Sequence, residues 1–366
     1  MSPLSGSTCH DGVLLRGRKK LMDHSPYKVV RLNAKLFPIT EFEQEKYDEH
    51  HITPLPIEAA SREVLIRNVR DADAVMVVSQ SLPAEIVETM QRCRVICRLG
   101  AGTDKIDVGA ATERGIVVAN VPDFCVEEQA DHAFALLLAV ARRLNQMRNR
   151  MLDGQYHEAR QHCRGLRRLP NCTLGLVGFG RSAKAMARRA SGFGMRVLAS
   201  RRNQSVVDPE ARALNVEMVT QERLLSESDF VSLHLPLNDQ TRRMFDKPRL
   251  LKMKPGSALI NTSRRAIVDE HALVEVLTTQ HLSGAGLDTF EAINVHDSNP
   301  KPPKHALLQM ENVIFTPHVA AFSVDSSRDV GFRSVANLVA VLSERWPNAD
   351  RVVNAEVKAR QLLREE

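Results

Sequence analysis

Short apolar runs rich in β-branched residues recur along the chain, and stretches of helical period separate them. In the first third, residues 28–32 (KVVRL), 74–78 (AVMVV), 94–99 (RVICRL) and 115–119 (GIVVA) predict four strands. A second series begins at Thr173, with strands predicted at 174–177, 196–199, 230–233, 258–261, 284–287 and 313–316. The runs are apolar at nearly every position. Both faces of each strand must then be covered, as in a parallel sheet flanked by helices. Residues 83–93 (PAEIVETMQRC) carry helical spacing between two of these strands. Strand–helix alternation of this kind specifies βαβ units and an α/β fold.

The two series meet at Val121-Pro122-Asp123, where Asp123 can cap the helix that follows. That helix is predicted to run unbroken from Val126 to about Met151, apolar in its first half and arginine-rich in its second. A helix of that length bridges two domains or forms the seam of a dimer. A final amphipathic helix is predicted at 324–343. The first 25 residues are polar, end in the basic stretch 16–20, and read as a flexible arm.

Composition narrows the class. A length of 366 residues suggests two domains. The net charge of +6, from 50 basic and 44 acidic residues, suits anionic small molecules as well as nucleic acid. At 4% aromatic content, stacking platforms for single-stranded nucleic acid are disfavoured. Six cysteines form no C-x-x-C pair and no paired metal-ligand spacing, so no metal is expected and a reducing cytoplasm is the simplest location. The longest apolar run, 133–141, is too short to cross a membrane, and the N-terminal residues lack a signal-peptide core.

The most specific chemical signal is 174–190 (LGLVGFGRSAKAMARRA). It holds Gly178-x-Gly180-x-x-Ala183 between a strand and a helix, the setting in which a glycine fingerprint binds a dinucleotide. Gly178 makes the tight turn, Gly180 lets a pyrophosphate approach the backbone, and small Ala183 lets helix pack on strand. Free N–H groups at the helix start attract the phosphates. The following strand ends Ser200-Arg201-Arg202, with no carboxylate to grip a ribose hydroxyl pair. Two guanidiniums suit a 2′-phosphate, so NADP is expected in preference to NAD.

Six segments in one order carry a resemblance: 98–104 (RLGAGTD), 120–132 (NVPDFCVEEQADH), 231–237 (VSLHLPL), 260–269 (INTSRRAIVD), 284–290 (GAGLDTF) and 316–318 (TPH), with the glycine loop among them. From about Arg98 to Phe322 the chain resembles the D-isomer-specific 2-hydroxyacid dehydrogenases, and among them the bacterial branch related to C-terminal-binding proteins. The resemblance implies two Rossmann-like domains with a cleft between them. A dinucleotide domain, 123–318, would be inserted into a discontinuous substrate domain, 26–122 and 319–366, after the arm 1–25. It implies hydride transfer between the nicotinamide and the C2 carbon of a small anionic 2-keto or 2-hydroxy acid, in a homodimer. Arg264 would hold the substrate carboxylate and carbonyl, and His318 would be the acid/base. Backbone N–H groups of Leu99, Gly100, Ala101 and Gly102 would receive the carboxylate, with Ser79 lining the pocket. Arg181, Ser182, Ser200, Arg201, Arg202, His234, Pro236 and Thr262 would border the dinucleotide, and Asp288 would bond its carboxamide.

Two positions depart from that family. The Glu that partners its histidine lies five residues after the motif Asp, and here position 293 is Ile, followed by Asn294 where the family has Pro. The segment 291–304 is also long, so Glu291 is the candidate replacement, with Asp297 and His296 as others. Otherwise His318 acts unaided, with a lower pKa. The second departure is Arg265, where the family has Gly. It either adds a positive charge suited to a doubly anionic substrate or points at solvent. These departures keep two other readings open: altered chemistry on the same scaffold, and a non-catalytic module that holds the dinucleotide as a structural ligand or redox sensor.

Overall fold

The computed structural model describes residues 26–35, 37–203, 208–291, 293 and 301–364, so the predicted arm lies outside the described residues. Two parallel sheets organise the chain. The first is built from β1 (Val29–Leu32), β2 (Leu55–Ile57), β3 (Ala74–Val77), β4 (Val95–Arg98) and β5 (Val117–Ala119), in the order β2-β1-β3-β4-β5. The second contains β6 (Thr173–Val177), β7 (Arg196–Ser200), β8 (Val216–Met218), β9 (Phe230–Leu233), β10 (Ala258–Asn261), β11 (Gly284–Leu287) and β12 (Val313–Phe315), in the order β12-β11-β10-β9-β6-β7-β8. Helices cover both faces of each sheet, making the α/β architecture of two Rossmann-like units.

Alternation along the strands sorts the core. Val30, Leu32, Val75, Val77, Ile96 and Val118 pack one face of the first sheet, against the helices Arg62–Val69 and Val108–Glu113. Val29, Ala74, Met76, Val95 and Val117 pack the other, against the helix Val324–Leu342. The last helix therefore returns to the first sheet. The second sheet is covered on one face by Val126–Ala141 and Arg181–Gly192, whose alanines allow close approach.

Three expectations are corrected. β2 and β8 were not foreseen: both are three-residue edge strands, one containing Pro56, with exposed positions in place of an apolar run. The helix at 83–93 is only Ala84–Val87, ending in turns. The long helix is broken. Val126–Ala141 stops, Arg143 takes a left-handed backbone (φ 53°), and a second helix runs Leu144–Leu152. The Arg143 guanidinium donates to the carbonyls of His162 and Arg164 at 3.2 Å, which offsets the cost of that turn.

Each sheet has one switch in strand order, where crevices open beyond the carboxyl ends. In the first it lies between β1 and β3, and in the second between β6 and β9.

Candidate active site

At the second switch, Gly178 follows β6 with φ 91°, a conformation that a side chain strongly disfavours. A Cβ there would also collide with the His234 carbonyl after β9. Gly178 N–H donates to Ser200 O at 2.9 Å, tying the turn to the end of β7. Gly180, by contrast, would meet nothing within 4 Å if given a Cβ. It caps the helix Arg181–Gly192, and no side chain satisfies the first N–H groups. Open space above an uncapped helix start fits a pyrophosphate, so the residues present can hold a dinucleotide. Arg181 is exposed at that start, while Ser182 lies 3.1 Å from His234 Nδ1. Ser232 lies 3.0 Å from His234 Nε2, and burial brings that imidazole's pKa down to about 4. His234 is thus a neutral post bracing the crevice. Pro236 is exposed beyond it and accepts from Thr241 through its carbonyl. Thr262 is buried after β10, its carbonyl accepting from Gln129.

The carboxyl end of β7 carries the two arginines. Ser200 is buried, Arg201 donates to Asp208 at 3.2 Å, and exposed Arg202 donates to Gln240 at 2.9 Å. Lys184 also reaches Asp208 at 3.2 Å, and Glu210 at 2.7 Å. Asp208 therefore serves two cations at once. Reading β7 alone had missed this carboxylate.

Facing this unit, the loop after β4 is shaped by its carbonyls. Arg98 takes those of Leu99 and Gly102, the latter at 3.0 Å from its Nε. Val121 N–H takes that of Gly100 at 3.0 Å, and Asn120 Nδ2 that of Ala101 at 2.6 Å. Four carbonyls are thereby held by the protein. Not all four expected amides are open: Leu99 N–H is spent on Val77 O in the strand ladder, and Gly100 N–H on Arg98 O. Among the described residues, the N–H groups of Ala101 and Gly102 donate to no protein acceptor. Ser79 and Gln80 begin the loop after β3, where both amides donate to Asn33 Oδ1, at 3.0 and 2.8 Å.

Arg264 spans the cleft. Asn261 at the end of β10 braces its turn, accepting from Ser263 and donating to the Arg264 carbonyl at 3.1 Å. The guanidinium donates from Nε to Asp104 at 3.2 Å and to Ser263 O at 2.9 Å. It also lies so close to Gly102 that a Cβ there would overlap it. Its charge, with desolvation first, helps bring the half-buried Arg98 down to a pKa of about 10.

His318 completes the cleft after β12. Its backbone is left-handed (φ 61°), fixed by N–H donation to Asp288 O at 2.9 Å. Its side chain opens to cleft solvent, yet the surrounding protein holds its pKa below the ordinary value. Desolvation is the leading cause; Asp288 opposes it, and Arg264, Arg98 and Lys105 add to it. Asp288 itself is 1% exposed. Its Oδ1 accepts from Thr316 at 2.5 Å and Val319 N–H at 3.0 Å, and its Oδ2 from Ala320 N–H at 2.9 Å. His132 Nε2 lies 2.8 Å from Thr316 Oγ1 and 3.5 Å from Asp288 Oδ1. The carboxylate expected at the carboxamide also clamps the His318 segment. Nothing local in the sequence couples His132 to it. Glu291 is an exposed turn residue whose N–H is held by buried Glu270, and Asp297 and His296 lie outside the described residues. Among the described residues, Asp288 supplies the leading carboxylate charge on His318.

Among the described residues, no group of three or more metal-ligating side chains could hold an ion, and no helix is long and apolar enough to cross a membrane.

Comparison with known proteins places this arrangement. The sequence profile for the D-isomer specific 2-hydroxyacid dehydrogenase NAD binding domain matches residues 134–320. The chain is 39% identical over 318 residues to a glyoxylate reductase of Korarchaeum cryptofilum (strain OPF8), covering 85% of this chain and 92% of that one. A solved structure from Thermus thermophilus superposes with a TM-score of 0.76 at 34% identity, over 89% of this chain and 99% of that one. A D-lactate dehydrogenase from Aquifex aeolicus, complexed with NAD and lactic acid, superposes with a TM-score of 0.75 at 26% identity, over 86% and 96%.

Proposed function

The chain belongs to the D-isomer-specific 2-hydroxyacid dehydrogenase family, and from that premise we propose an NADP-preferring reductase of small 2-keto acids, with glyoxylate the first substrate to assay. Membership makes it an oxidoreductase that moves a hydride on a 2-hydroxy or 2-keto acid with a nicotinamide dinucleotide. The catalytic part of this reading rests on one observation. Arg264, the open amides of Ala101 and Gly102, and His318 meet where the strand ends of the two sheets face each other.

A nicotinamide dinucleotide, when held there, would supply the hydride in reduction and accept it in oxidation. The chain's own residues handle charge and protons. The substrate carboxylate is received by Arg264 and the two open amides, which removes most of its orientational freedom. The keto oxygen then faces His318, whose imidazolium gives its proton as negative charge develops there. Asp288 holds the segment that carries His318 and supports the charged imidazole. Gly178, Gly180 and the helix start at Arg181 take the pyrophosphate, with neutral His234 bracing the turn. We assign residues 123–318 to the dinucleotide domain, and 26–122 with 319–366 to the substrate domain.

Turnover of glyoxylate and other 2-keto acids with NADPH is the direct test. Tight dinucleotide binding without turnover of any 2-keto acid would overturn the proposal. The cofactor preference has its own test. A 2′-phosphate competes with Asp208 for Arg201 and draws Arg202 from Gln240. Replacing Arg201 by Asp should lower the NADP/NAD ratio of kcat/KM by about 10- to 100-fold, the scale of one lost charge-assisted contact plus repulsion. An unchanged ratio would reject the assignment.

A further inference from the structure

Beyond the groups that receive a 2-keto carboxylate, the cleft carries more positive charge than such a substrate uses. Arg98, Arg264 and Arg265 all act on Lys105, and Arg264 acts on Arg98, across the loops after β4 and β10. The carboxylate bonded into this cluster is Asp104, through Arg264. At His318 Asp288 opposes the same cations, so two acids against four bases leave an excess of two, and a mono-anionic keto acid lowers it only to one. Like charges held together in a cleft raise its potential and favour added negative charge.

Two of the four are not committed to the keto-carboxylate site. Lys105 is exposed, and its Nζ donates to the Ser79 carbonyl at 3.0 Å. That bond places the ammonium against the loop after β3, on the substrate side of the first switch. A single backbone carbonyl leaves its other two N–H groups for an anion. Arg265 is exposed next to Arg264, whose guanidinium bonds the Asp104 that precedes Lys105, and its charge is felt at Lys105. Arg98 is spent on the loop carbonyls and contributes field, not contact.

We propose that Lys105 and Arg265 form a second anion subsite at the mouth of the cleft, so that the enzyme favours 2-keto acids carrying a second anionic group over those with an uncharged tail of the same length. This rests on the reductase reading and names the substrate class for that site. The distal group would be a carboxylate or a phosphate, because an ammonium and a guanidinium accept either.

The test compares 2-oxoglutarate with 2-oxohexanoate, using the full chain with NADPH. The wild type is expected to favour the dianion in kcat/KM, and the preference should shrink as salt rises from 0.02 to 0.5 M, assay conditions chosen because ions screen exposed charges over about 10 Å at 0.1 M. Lys105→Met and Arg265→Ala should each lower the dianion-to-monoanion ratio about 3- to 5-fold, the scale of an exposed ion pair. The double variant should lower it roughly 10-fold. Turnover of both acids with no preference, or a preference that neither salt nor the variants reduce, overturns the subsite and leaves the reductase standing. Failure of both acids and of glyoxylate instead rejects the reductase. Phosphonooxypyruvate, set against 2-oxoglutarate, shows which distal anion is taken.

Discussion

Replacing His318 by Gln should lower kcat/KM for 2-keto acid reduction about 10²- to 10⁴-fold, the range supplied by a positioned general acid. Dinucleotide affinity should hold, because the glycine turn and the helix start at Arg181 lie at other strand ends. Glutamine keeps polarity and approximate length but cannot deliver a proton near neutral pH. Glu291→Gln is the matched control, and its effect should be small, since that side chain is exposed and Asp288 is the leading carboxylate on His318. The pH profile sharpens the test. Reduction needs the imidazolium, so kcat/KM should fall as pH rises through the histidine pKa. That limb should lie on the acid side of the ordinary 6.5, because desolvation and three cations lower the value more than Asp288 raises it. Oxidation should rise across the same limb. Asp288→Asn removes the opposing charge and should move the limb further toward acid. Full activity in His318→Gln would exclude His318 as the acid, and a limb above 6.5 would mean that burial and the neighbouring cations do not depress it.

The parts legible in the sequence were those written in local pattern. β6 and β9–β12 are apolar on both faces and bounded by turns, so periodicity alone locates them. β2 and β8 lie at sheet edges, where half-exposed positions erase the pattern. The break at Arg143 has no glycine or proline to announce it; bonds to carbonyls about twenty residues onward stabilise it. The site divides the same way. Gly178, Arg264 and His318 sit in short motifs and were found. Asn33, Asn120 and His132 act through hydrogen bonds to segments 46, 19 and 184 residues away, and no spacing rule reaches that far. Asp288 was found but its surroundings were not: the amides that saturate it belong to the turn after β12, some thirty residues later.

Replacing Arg264 by Gln should cost about 10²- to 10³-fold in kcat/KM, comparable with removing one donor aimed at developing charge. The loss should appear in both KM and kcat, because the group binds the carboxylate and also sets the angle of the carbonyl toward His318. Arg264→Lys should recover part of KM but little of kcat: an ammonium restores charge without the planar fork that orients. Removing the guanidinium also removes one of the cations that depress His318, so the acid limb of the pH profile should move up in Arg264→Gln. A second variant separates the guanidinium's place from its presence. Gly102→Ala leaves Arg264 in the chain but puts a methyl group where the guanidinium lies. The side chain must then leave its seat between Asp104 and the open amides of the 101–102 loop. If position is what matters, Gly102→Ala should lower kcat/KM by about as much as Arg264→Gln, and the two changes combined should cost little more than either, as for residues that act as a unit. Additive losses would mean that the two positions serve the substrate independently, and the seat of Arg264 against Gly102 would no longer explain its part in the reaction.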